Sequence, residues 1–260
     1  MKIIQSRDNP NFKELAKLSG SARQRGKSSQ TLLDGAHLLA AYLDAGMLPQ
    51  QLLVNAAALQ DGEVAGLLER MRDVTVTQLD DKLFAELSEL KSPTGILALI
   101  AIPQPDTPIA DSRFALLLED IQDPGNLGSM LRSAAAAGCD AVFLSQGCAD
   151  AWSPKVLRAA MGGHFALHIY ERQDLPAVAK AFSGTLLATS LQATRGLYEY
   201  NLSGNVGFMV GNEGVGLSGE LLSLATQQIT IPMPGKVESL NAAAATAVCL
   251  FEAVRQRQVR

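Results

Sequence analysis

The sequence around which the rest of the chain is arranged is IPMPGKVESLNAAAATAVCLFEAVR, Ile231 to Arg255. It begins as a strand, turns at 232–235 and crosses a short polar loop before it enters a helix dense in alanine. The alanine run 242–245 allows this helix to pack very close to another backbone. Ser239 and Asn241 are small polar groups at the helix start, where backbone N–H groups have no partner inside the helix. Alone, the stretch is typical of a capped, buried C-terminal helix, and two earlier motifs change that interpretation.

The first of these motifs is DPGNLGSMLR, residues 123–132, directly after a predicted buried strand at 114–120. Its glycines allow close backbone approach, and the start of the helix that follows offers free N–H donors. Asn126 leaves the C-terminal edge of the strand, and Arg132 lies on the helix roughly 1.7 turns later. By itself the motif also fits an N-capping Asn and a surface Arg.

The second motif is GNEGVGL, residues 211–217, after a predicted strand that ends at Val210. It is not the G-x-G-x-x-G pattern, and no acidic residue stands where a dinucleotide ribose would need one, so a dinucleotide site is a poor fit. Its three glycines build a loop that can wrap a flat ligand, with Glu213 facing that ligand. The alternative is a tight loop with an exposed Glu.

Composition places the chain among well-packed globular proteins. It has 260 residues, 47% of them hydrophobic and 18% charged, which is comfortable for two domains. No apolar run reaches the roughly 18 residues of a membrane span, and the N-terminus lacks the apolar core of a signal peptide. Three cysteines form no C-x-x-C pair and are odd in number. A reduced, cytoplasmic protein is the simple expectation.

The charge distribution leaves room for a nucleic-acid partner despite a net charge of −4. Residues 1–30 carry seven Lys or Arg side chains against two acidic ones, a local charge of +5. Such a patch can hold phosphates whatever the global sign, and Arg23, Arg25 and Lys27 are its candidates for RNA contact. A merely solvated helical face is the alternative.

Strand–helix alternation predicts a small α/β domain over residues 1–102. The proline-rich stretch 103–112 is expected to be a linker, followed by a second domain over 113–260. The predicted strands of the first domain are 31–35, 51–55, 74–79 and 94–102. Those of the second are 114–120, 141–145, 167–170, 186–190, 206–211 and 227–233, with a last helix at 240–256. The second domain is therefore expected to be an open, mainly parallel α/β sheet with ligands at the C-terminal ends of its strands.

In this order and spacing the three motifs resemble the SpoU (TrmH-type) RNA ribose 2′-O-methyltransferases of the SPOUT superfamily. The resemblance rests on N-x-G-x-x-x-R at 126–132, V-G-N-E-G-x-G-L at 210–217 and I-P-M-x-G-x-x-x-S-L-N at 231–241. It extends over residues 114–256. Residues 10–102 resemble, more weakly, the ribosomal-protein-like RNA-binding domain of family members that act on rRNA.

The resemblance implies a sheet threaded into a deep trefoil knot, S-adenosylmethionine as cofactor, and a homodimer with a composite active site. It places cofactor contacts at Thr189, Gly211, Ile231, Met233, Ser239, Leu240 and Asn241. It implies catalytic roles for Asn126, Arg132, Glu213, Ser239 and Asn241. RNA contacts are expected at Arg23, Arg25, Lys27, Arg132 and Arg158.

Within this resemblance, Arg132 is better suited to hold charge than to act as a base. A guanidinium pKa above about 12 makes the neutral form scarce near pH 7. We therefore expect Arg132 to clamp a phosphate and stabilise the developing alkoxide, acting across the dimer. Asn126 would orient Arg132 or the ribose, while Glu213 and Asn241 would fix the loops and the hydroxyl.

The expected reaction is methyl transfer from S-adenosylmethionine to a ribose 2′-hydroxyl of RNA, with rRNA favoured by the N-terminal domain. A tRNA substrate is the alternative within the family, and a non-catalytic RNA-binding or ribosome-assembly factor is the alternative outside it. No metal is expected, because His164 and His168 lie in a predicted loop and strand without a third, acidic ligand nearby.

Overall fold

The computed structural model describes residues 1–90, 92–105 and 108–258 of the chain. The strands are β1 Lys2–Ile4, β2 Gln30–Asp34, β3 Gln51–Val54, β4 Thr75–Leu79, β5 Ile96–Ala101, β6 Phe114–Leu118, β7 Ala141–Leu144, β8 His168–Tyr170, β9 Thr185–Thr189, β10 Val206–Val210 and β11 Gln227–Ile229. The α-helices are α1 Pro10–Gly20, α2 Ala22–Ser28, α3 Ala36–Asp44, α4 Gly62–Arg70, α5 Asp81–Leu87, α6 Pro124–Ala137, α7 Pro154–Ala160, α8 Leu175–Ala181, α9 Gly219–Leu224 and α10 Ala242–Gln258. No described helix is long and apolar enough to cross a membrane.

The chain forms two compact units. The first comprises Met1–Pro103 and Trp152–Phe165, and the second Gln104–Ala151 and Ala166–Arg260. In the described part of the first unit, a five-stranded sheet has the order β1-β4-β3-β5-β2. Strands β1, β4 and β3 run parallel, whereas β5 is antiparallel to both β3 and β2. One face of this sheet packs on α1 and α5 around a buried aliphatic and phenylalanine core.

The second unit contains a fully parallel sheet, as expected from its buried strands. Its described strands have the order β11-β9-β10-β6-β7-β8. The chain first builds outward from β6 to β7 and β8, and then returns to add β9, β10 and β11 on the other side. The reversal lies between β6 and β10, and open α/β sheets bind ligands in a crevice outside the carboxyl ends of their strands.

Helices cover both faces of that sheet. Alternate residues of each strand point to opposite faces, so Ala115 and Leu117 of β6 pack with Phe143, Met209 and the apolar sides of α8 and α9. On the opposite face α10 packs against α6 and β10. Every residue of β6 and of β10 is buried, which explains why both strands are continuously apolar.

A short segment of the second half of the sequence packs with the first unit. Residues 152–165 leave the second unit after Ala151 and include α7, which contacts β2. Thr31 of β2, fully buried, donates its hydroxyl to the carbonyl oxygen of Trp152 at 2.8 Å. Tyr42 of α3 meets Phe165 edge-to-face, with ring centroids 5.1 Å apart. The sequence assigned this segment to 113–260 because periodicity gives no information about partners distant along the chain.

Several elements differ from the sequence prediction. The short edge strand β1 and the helix α9 were not predicted. Strand β11 ends at Ile229 instead of Met233, because Pro232 and Pro234 cannot donate to a sheet ladder. His164 lies in a 3₁₀ turn, not in the strand that begins at His168.

We predict that Thr31→Val loosens the attachment of residues 152–165, because valine fills the same space without a hydroxyl donor. The matched control is Thr77→Val, which removes another buried hydroxyl of the first unit, one that accepts from Gln51 at 2.9 Å. Each change should lower the free energy of unfolding by about 1 kcal/mol. Only Thr31→Val should shift the native fluorescence of Trp152, the sole tryptophan, to longer wavelength. Equal spectra for the two variants would contradict the attachment.

Candidate active site

A cavity of about 590 Å³ opens at the C-terminal ends of β9, β10 and β11. Its walls are the loops at 189–192, 210–217 and 229–231, together with the start of α10. The volume lies within the range of pockets that enclose small ligands. The crevice expected at the edge of the parallel sheet is thus a formed cavity.

The structure brings all the sequence-predicted cofactor residues to this one cavity. The residues concerned are Thr189, Gly211, Ile231, Met233, Ser239, Leu240 and Asn241. They come from three separate stretches of the chain, which the sheet order places side by side. Thr189 also donates its hydroxyl to the carbonyl oxygen of Met209 at 3.1 Å, which ties the end of β9 to β10.

The loop 211–217 is shaped by the side chain and backbone of Asn212. The Asn212 Oδ1 atom accepts from the amides of Gly214 and Val215 at 2.8 and 3.2 Å. The carbonyl oxygen of Asn212 accepts from Gly216, which has the positive φ of 74° that favours glycine. A Cβ on Gly211 would lie 2.2 Å from the Gly216 backbone, so Gly211 is required for the loop to fold back on itself.

The end of β6 anchors that loop at two points. The Asn212 Nδ2 atom donates to the carbonyl oxygen of Asp120 at 2.9 Å, and the Ser218 amide donates to Glu119 Oε2 at 2.6 Å. Asp120 holds a left-handed φ of 54°, and its Oδ1 accepts from the Ser145 hydroxyl at 2.6 Å. Sequence reasoning placed Asp120 at a strand end but missed Glu119 and Ser145, since an acidic or Ser residue after a strand carries no distinctive signal.

A continuous hydrogen-bond chain joins the three motifs. Asn126 donates from Nδ2 to Glu213 Oε1 at 2.7 Å and accepts at Oδ1 from Asn241 Nδ2 at 2.9 Å. Asn241 in turn caps α10, because its Oδ1 accepts from the amides of Ala243 and Ala244. Three of the five residues expected to be catalytic therefore form one connected group beside the cavity.

The cap of α6 differs from the sequence interpretation. Asp123, not Asn126, is the N-cap, since its side chain accepts from the Asn126 amide at 2.7 Å. The Asn126 side chain is thereby left available for Glu213 and Asn241. The fourth expected catalytic residue, Ser239, is exposed and lines the cavity.

Arg132 does not reach the cavity of its own chain. It is exposed on α6 and makes no hydrogen bond or ion pair with the described part of the chain. Six residues along a helix correspond to a rotation of about 240°, so Arg132 projects roughly 120° away from Asn126. Asn126 therefore does not orient Arg132 within one chain, which was one of the two roles expected for Asn126.

Four of the five expected RNA-contacting residues fall in the first unit, Arg132 lies in the second, and Arg25 needs a correction. Arg25 is only 5% exposed, and its guanidinium donates to the carbonyl oxygens of Leu18 and Ser19 at the end of α1. Its charge stabilises a helix C-terminus instead of an external phosphate. Arg23 and Lys27 lie on the exposed face of α2, and Arg158 is exposed on α7.

The cysteines and histidines add no reactive centre. Burial raises the pKa of the Cys249 thiol to about 12 and also raises the pKa of Cys139 and of Cys148, which disfavours thiolates at neutral pH. Cys148 also donates to the carbonyl oxygen of Leu118. Within residues 1–90, 92–105 and 108–258, no three His, Cys, Asp or Glu side chains are grouped as metal ligands.

Two protein-family models match the chain. Residues 113–251 match the SpoU rRNA Methylase family, and residues 9–98 match an MRM3-like substrate binding domain. The chain is 34% identical over 254 residues to the 23S rRNA (guanosine(2553)-2′-O)-methyltransferase RlmP of Bacillus subtilis. That alignment covers 96% of this chain and 98% of RlmP.

Solved structures with the same fold extend over nearly the whole chain. The crystal structure of an RNA 2′-O ribose methyltransferase superposes with a TM-score of 0.82 at 32% identity, over 98% of this chain and 99% of that one. The SpoU methyltransferase AviRb from Streptomyces viridochromogenes, in complex with the cofactor AdoMet, superposes with a TM-score of 0.84 at 25% identity. It covers 97% of this chain and 100% of its own.

We predict that Asn212→Ala opens the loop 211–217, because it removes the acceptor for two amides and the donor to Asp120. Hydrogen exchange at Gly214 and Val215 should then accelerate by at least about tenfold, the result of losing roughly 1.4 kcal/mol of local protection. The control is Asn201→Ala, an exposed Asn that accepts from the Ser203 amide away from the cavity. Unchanged exchange in Asn212→Ala would show that the loop is held by other contacts.

Proposed function

The chain belongs to the SpoU rRNA methylase family, and we propose that it methylates a ribose 2′-hydroxyl of ribosomal RNA with S-adenosylmethionine. The observation that carries this conclusion is the convergence of Thr189, Gly211 and five residues of the stretch 231–241 on one cavity at the sheet edge. The resemblance stated from the three motifs is confirmed by the family match and by the relatives. The chain is an S-adenosylmethionine-dependent RNA methyltransferase.

The cavity residues fit the cofactor of the family. A cavity of about 590 Å³ bounded by Leu191, Val215 and Leu240 offers apolar walls, while Ser239 and Asn241 supply polar groups. Gly211, Ile231 and Leu240 line the same space, and their backbone groups would hold the adenine edge. When bound, S-adenosylmethionine supplies a methyl group on a sulfonium centre, ready for transfer to a nucleophilic oxygen.

The hydrogen-bonded group beside the cavity positions the reacting ribose. The Asn126–Glu213 and Asn126–Asn241 bonds fix the Asn126 amide. Because Asn126 bonds only Oε1 of Glu213, the second carboxylate oxygen is available to accept from a sugar hydroxyl. In-line attack requires the hydroxyl oxygen at about 3 Å from the methyl carbon, so holding the sugar in place lowers the barrier. A cation is also needed where the 2′-oxygen develops negative charge.

We propose that this cation is Arg132 of a second copy of the chain. Arg132 points away from its own cavity, and the exposed face of α6 on which it lies also carries the small residues Ser129 and Ala136. Beside it, α10 exposes Ala244 and Phe251, the latter 46% exposed. Small side chains with one large apolar group suit close helix packing in a symmetric dimer. Such a homodimer would complete each active site with the partner's arginine.

We also propose that the C-terminal part of the second unit is threaded as a trefoil knot. The support is the path of residues 230–241 between other loops. Thr230 exchanges backbone hydrogen bonds with Arg195 and Leu197 on one side, and Asn241 bonds Asn126 on the other. The order of the strands, with β10 between β9 and β6, is compatible with such threading.

The N-terminal unit is proposed as the part that selects ribosomal RNA. It matches a substrate binding domain, and α2 and α7 expose Arg23, Lys27 and Arg158 as cations for phosphate contact. The relative RlmP carries 23S rRNA and 2′-O-methylation in its name. A tRNA substrate and a non-catalytic role in assembly are the two alternatives. With a ribosomal substrate, we propose a cytoplasmic location.

The test uses labelled S-adenosylmethionine and two RNA pools, rRNA and tRNA, from cells that lack this gene. We expect label in rRNA, at a ribose, and none in tRNA. Arg132→Ala should reduce incorporation by at least about a thousandfold, as for loss of a transition-state charge contact, while calorimetry still shows cofactor binding. Label found only in tRNA would show that tRNA, and not rRNA, is the substrate. Intact cofactor binding with no label in either RNA pool or in ribosomal particles would favour the non-catalytic role.

Mixing two inactive variants tests the composite site. Gly211→Ala should close the cofactor loop against Gly216, whereas Arg132→Ala leaves the cavity intact. If Arg132 acts across the dimer, a mixed dimer contains one complete site. Equal mixing after subunit exchange should then recover about a quarter of the wild-type rate. If each site belongs to one chain, the mixture should stay as inactive as either parent.

A further inference from the structure

A cluster of the exposed Arg195 and Tyr198 and the half-buried Tyr200 stands beside the cavity and is not used by the chemistry described above. It lies in the connection between β9 and β10, around a 3₁₀ turn at Leu197–Glu199. Tyr198 is 55% exposed, and the Arg195 side chain is 52% exposed. Large planar side chains so open to solvent do not contribute much to folding, which directs attention to a ligand.

The cluster is fixed to the wall of the cavity. Thr230, which lines the cavity, donates its amide to Arg195 and accepts at its carbonyl oxygen from the Leu197 amide at 2.8 Å. Leu197 is fully buried, and the Tyr200 hydroxyl donates to the carbonyl oxygen of Gln228. The turn therefore holds the backbone that carries Arg195 and Tyr198 next to the cavity.

The Arg195 guanidinium already lies over the ring of Tyr200. Its Cζ atom lies 4.3 Å from the centroid of the Tyr200 ring, and Nη2 donates to the Glu199 carbonyl oxygen. The Glu199 carboxylate lies 3.8 Å from Arg195 Nε and offsets part of the positive charge. A stacked and partly neutralised guanidinium is better suited to stack on a base than to attract a distant phosphate.

We propose that Arg195 and Tyr198 form a stacking platform for an unpaired base of the substrate RNA, next to the methylated nucleotide. Sequence-specific proteins recognise RNA mainly through splayed, unpaired bases that stack on aromatic rings and on guanidinium planes. Both kinds of surface are present here, beside the cavity. The proposal rests on the proposed function, because it assumes that RNA reaches this cavity.

The experiment measures binding, so that it does not depend on catalysis. Filter binding with deproteinised ribosomal RNA gives the RNA Kd for wild type, Tyr198→Ala, Tyr198→Phe and Arg195→Ala. Lys180→Ala is the matched control, an exposed cation of the same unit on α8. Calorimetry gives the Kd for S-adenosylmethionine, and light scattering gives the mass of each variant.

Tyr198→Ala and Arg195→Ala should each weaken RNA binding by about fivefold or more, as expected for loss of one stacked base. Tyr198→Phe and Lys180→Ala should stay within about twofold of wild type, since phenylalanine keeps the ring. Cofactor affinity and mass should not change. If the protein transfers no methyl group but Tyr198→Ala and Arg195→Ala still weaken RNA binding, the platform is supported and the proposed reaction is not.

Three outcomes would overturn the platform. RNA affinity could be equal in all variants, which would leave the cluster without a role in RNA binding. Cofactor affinity could fall in step with RNA affinity, which would make the cluster a wall of the cofactor cavity. A lower mass for Tyr198→Ala or Arg195→Ala would instead assign the surface to contact between protein chains.

Discussion

The side-chain amide of Asn126 is the point on which the geometry of the site depends. It donates to Glu213 and accepts from Asn241. One amide therefore links the start of α6, the loop 211–217 and the cap of α10. Neither an Asp nor a Leu of similar size could make both bonds, because both a donor and an acceptor are needed. The packing of α10 on α6 and the bonds from the loop to Glu119 and Asp120 also connect these parts. Asn126 adds a direct polar link among all three, and irregular loops need such links to hold one conformation.

The parallel sheet determines where these loops meet. Because β6 and β10 are neighbours and run in the same direction, the residues after each strand emerge side by side. Asp120 and Gly211 follow the two strands, and the left-handed Asp120 turns its carbonyl oxygen toward the Asn212 side chain. The energetic cost of that backbone conformation, about 1 kcal/mol or more for a residue with a Cβ, is offset by the contacts of Asp120 with Ser145 and Asn212.

Charge is distributed unevenly between the site and its surroundings. The cavity is lined by the carboxylate of Glu213, whereas the cations expected to meet RNA lie on α2, α6 and α7. The Glu213 carboxylate repels phosphates and can accept from a sugar hydroxyl. This distribution agrees with our proposal that RNA binds to cationic helices and to stacking side chains, with the cavity left to the cofactor and a single ribose. Residues 152–165 add α7 and its exposed Arg158 to the unit that we propose binds RNA.

The sequence by itself predicted the α/β fold class, the parallel sheet of the second unit and seven of the residues that line the cavity. The sheet could be predicted because continuous apolar runs indicate buried parallel strands, and the cavity residues followed from the resemblance of the three motifs to a known family. The tertiary structure decided what periodicity cannot express, namely which distant residues become neighbours. Arg25 lies within a basic run but folds back onto the end of α1, and Trp152 belongs to the second half of the sequence but packs with the first unit. Asp123 replaces Asn126 as the cap, which leaves the Asn126 amide available to join the three loops. These outcomes depend on the partner that each polar group finds in three dimensions, and a one-dimensional pattern does not specify that partner.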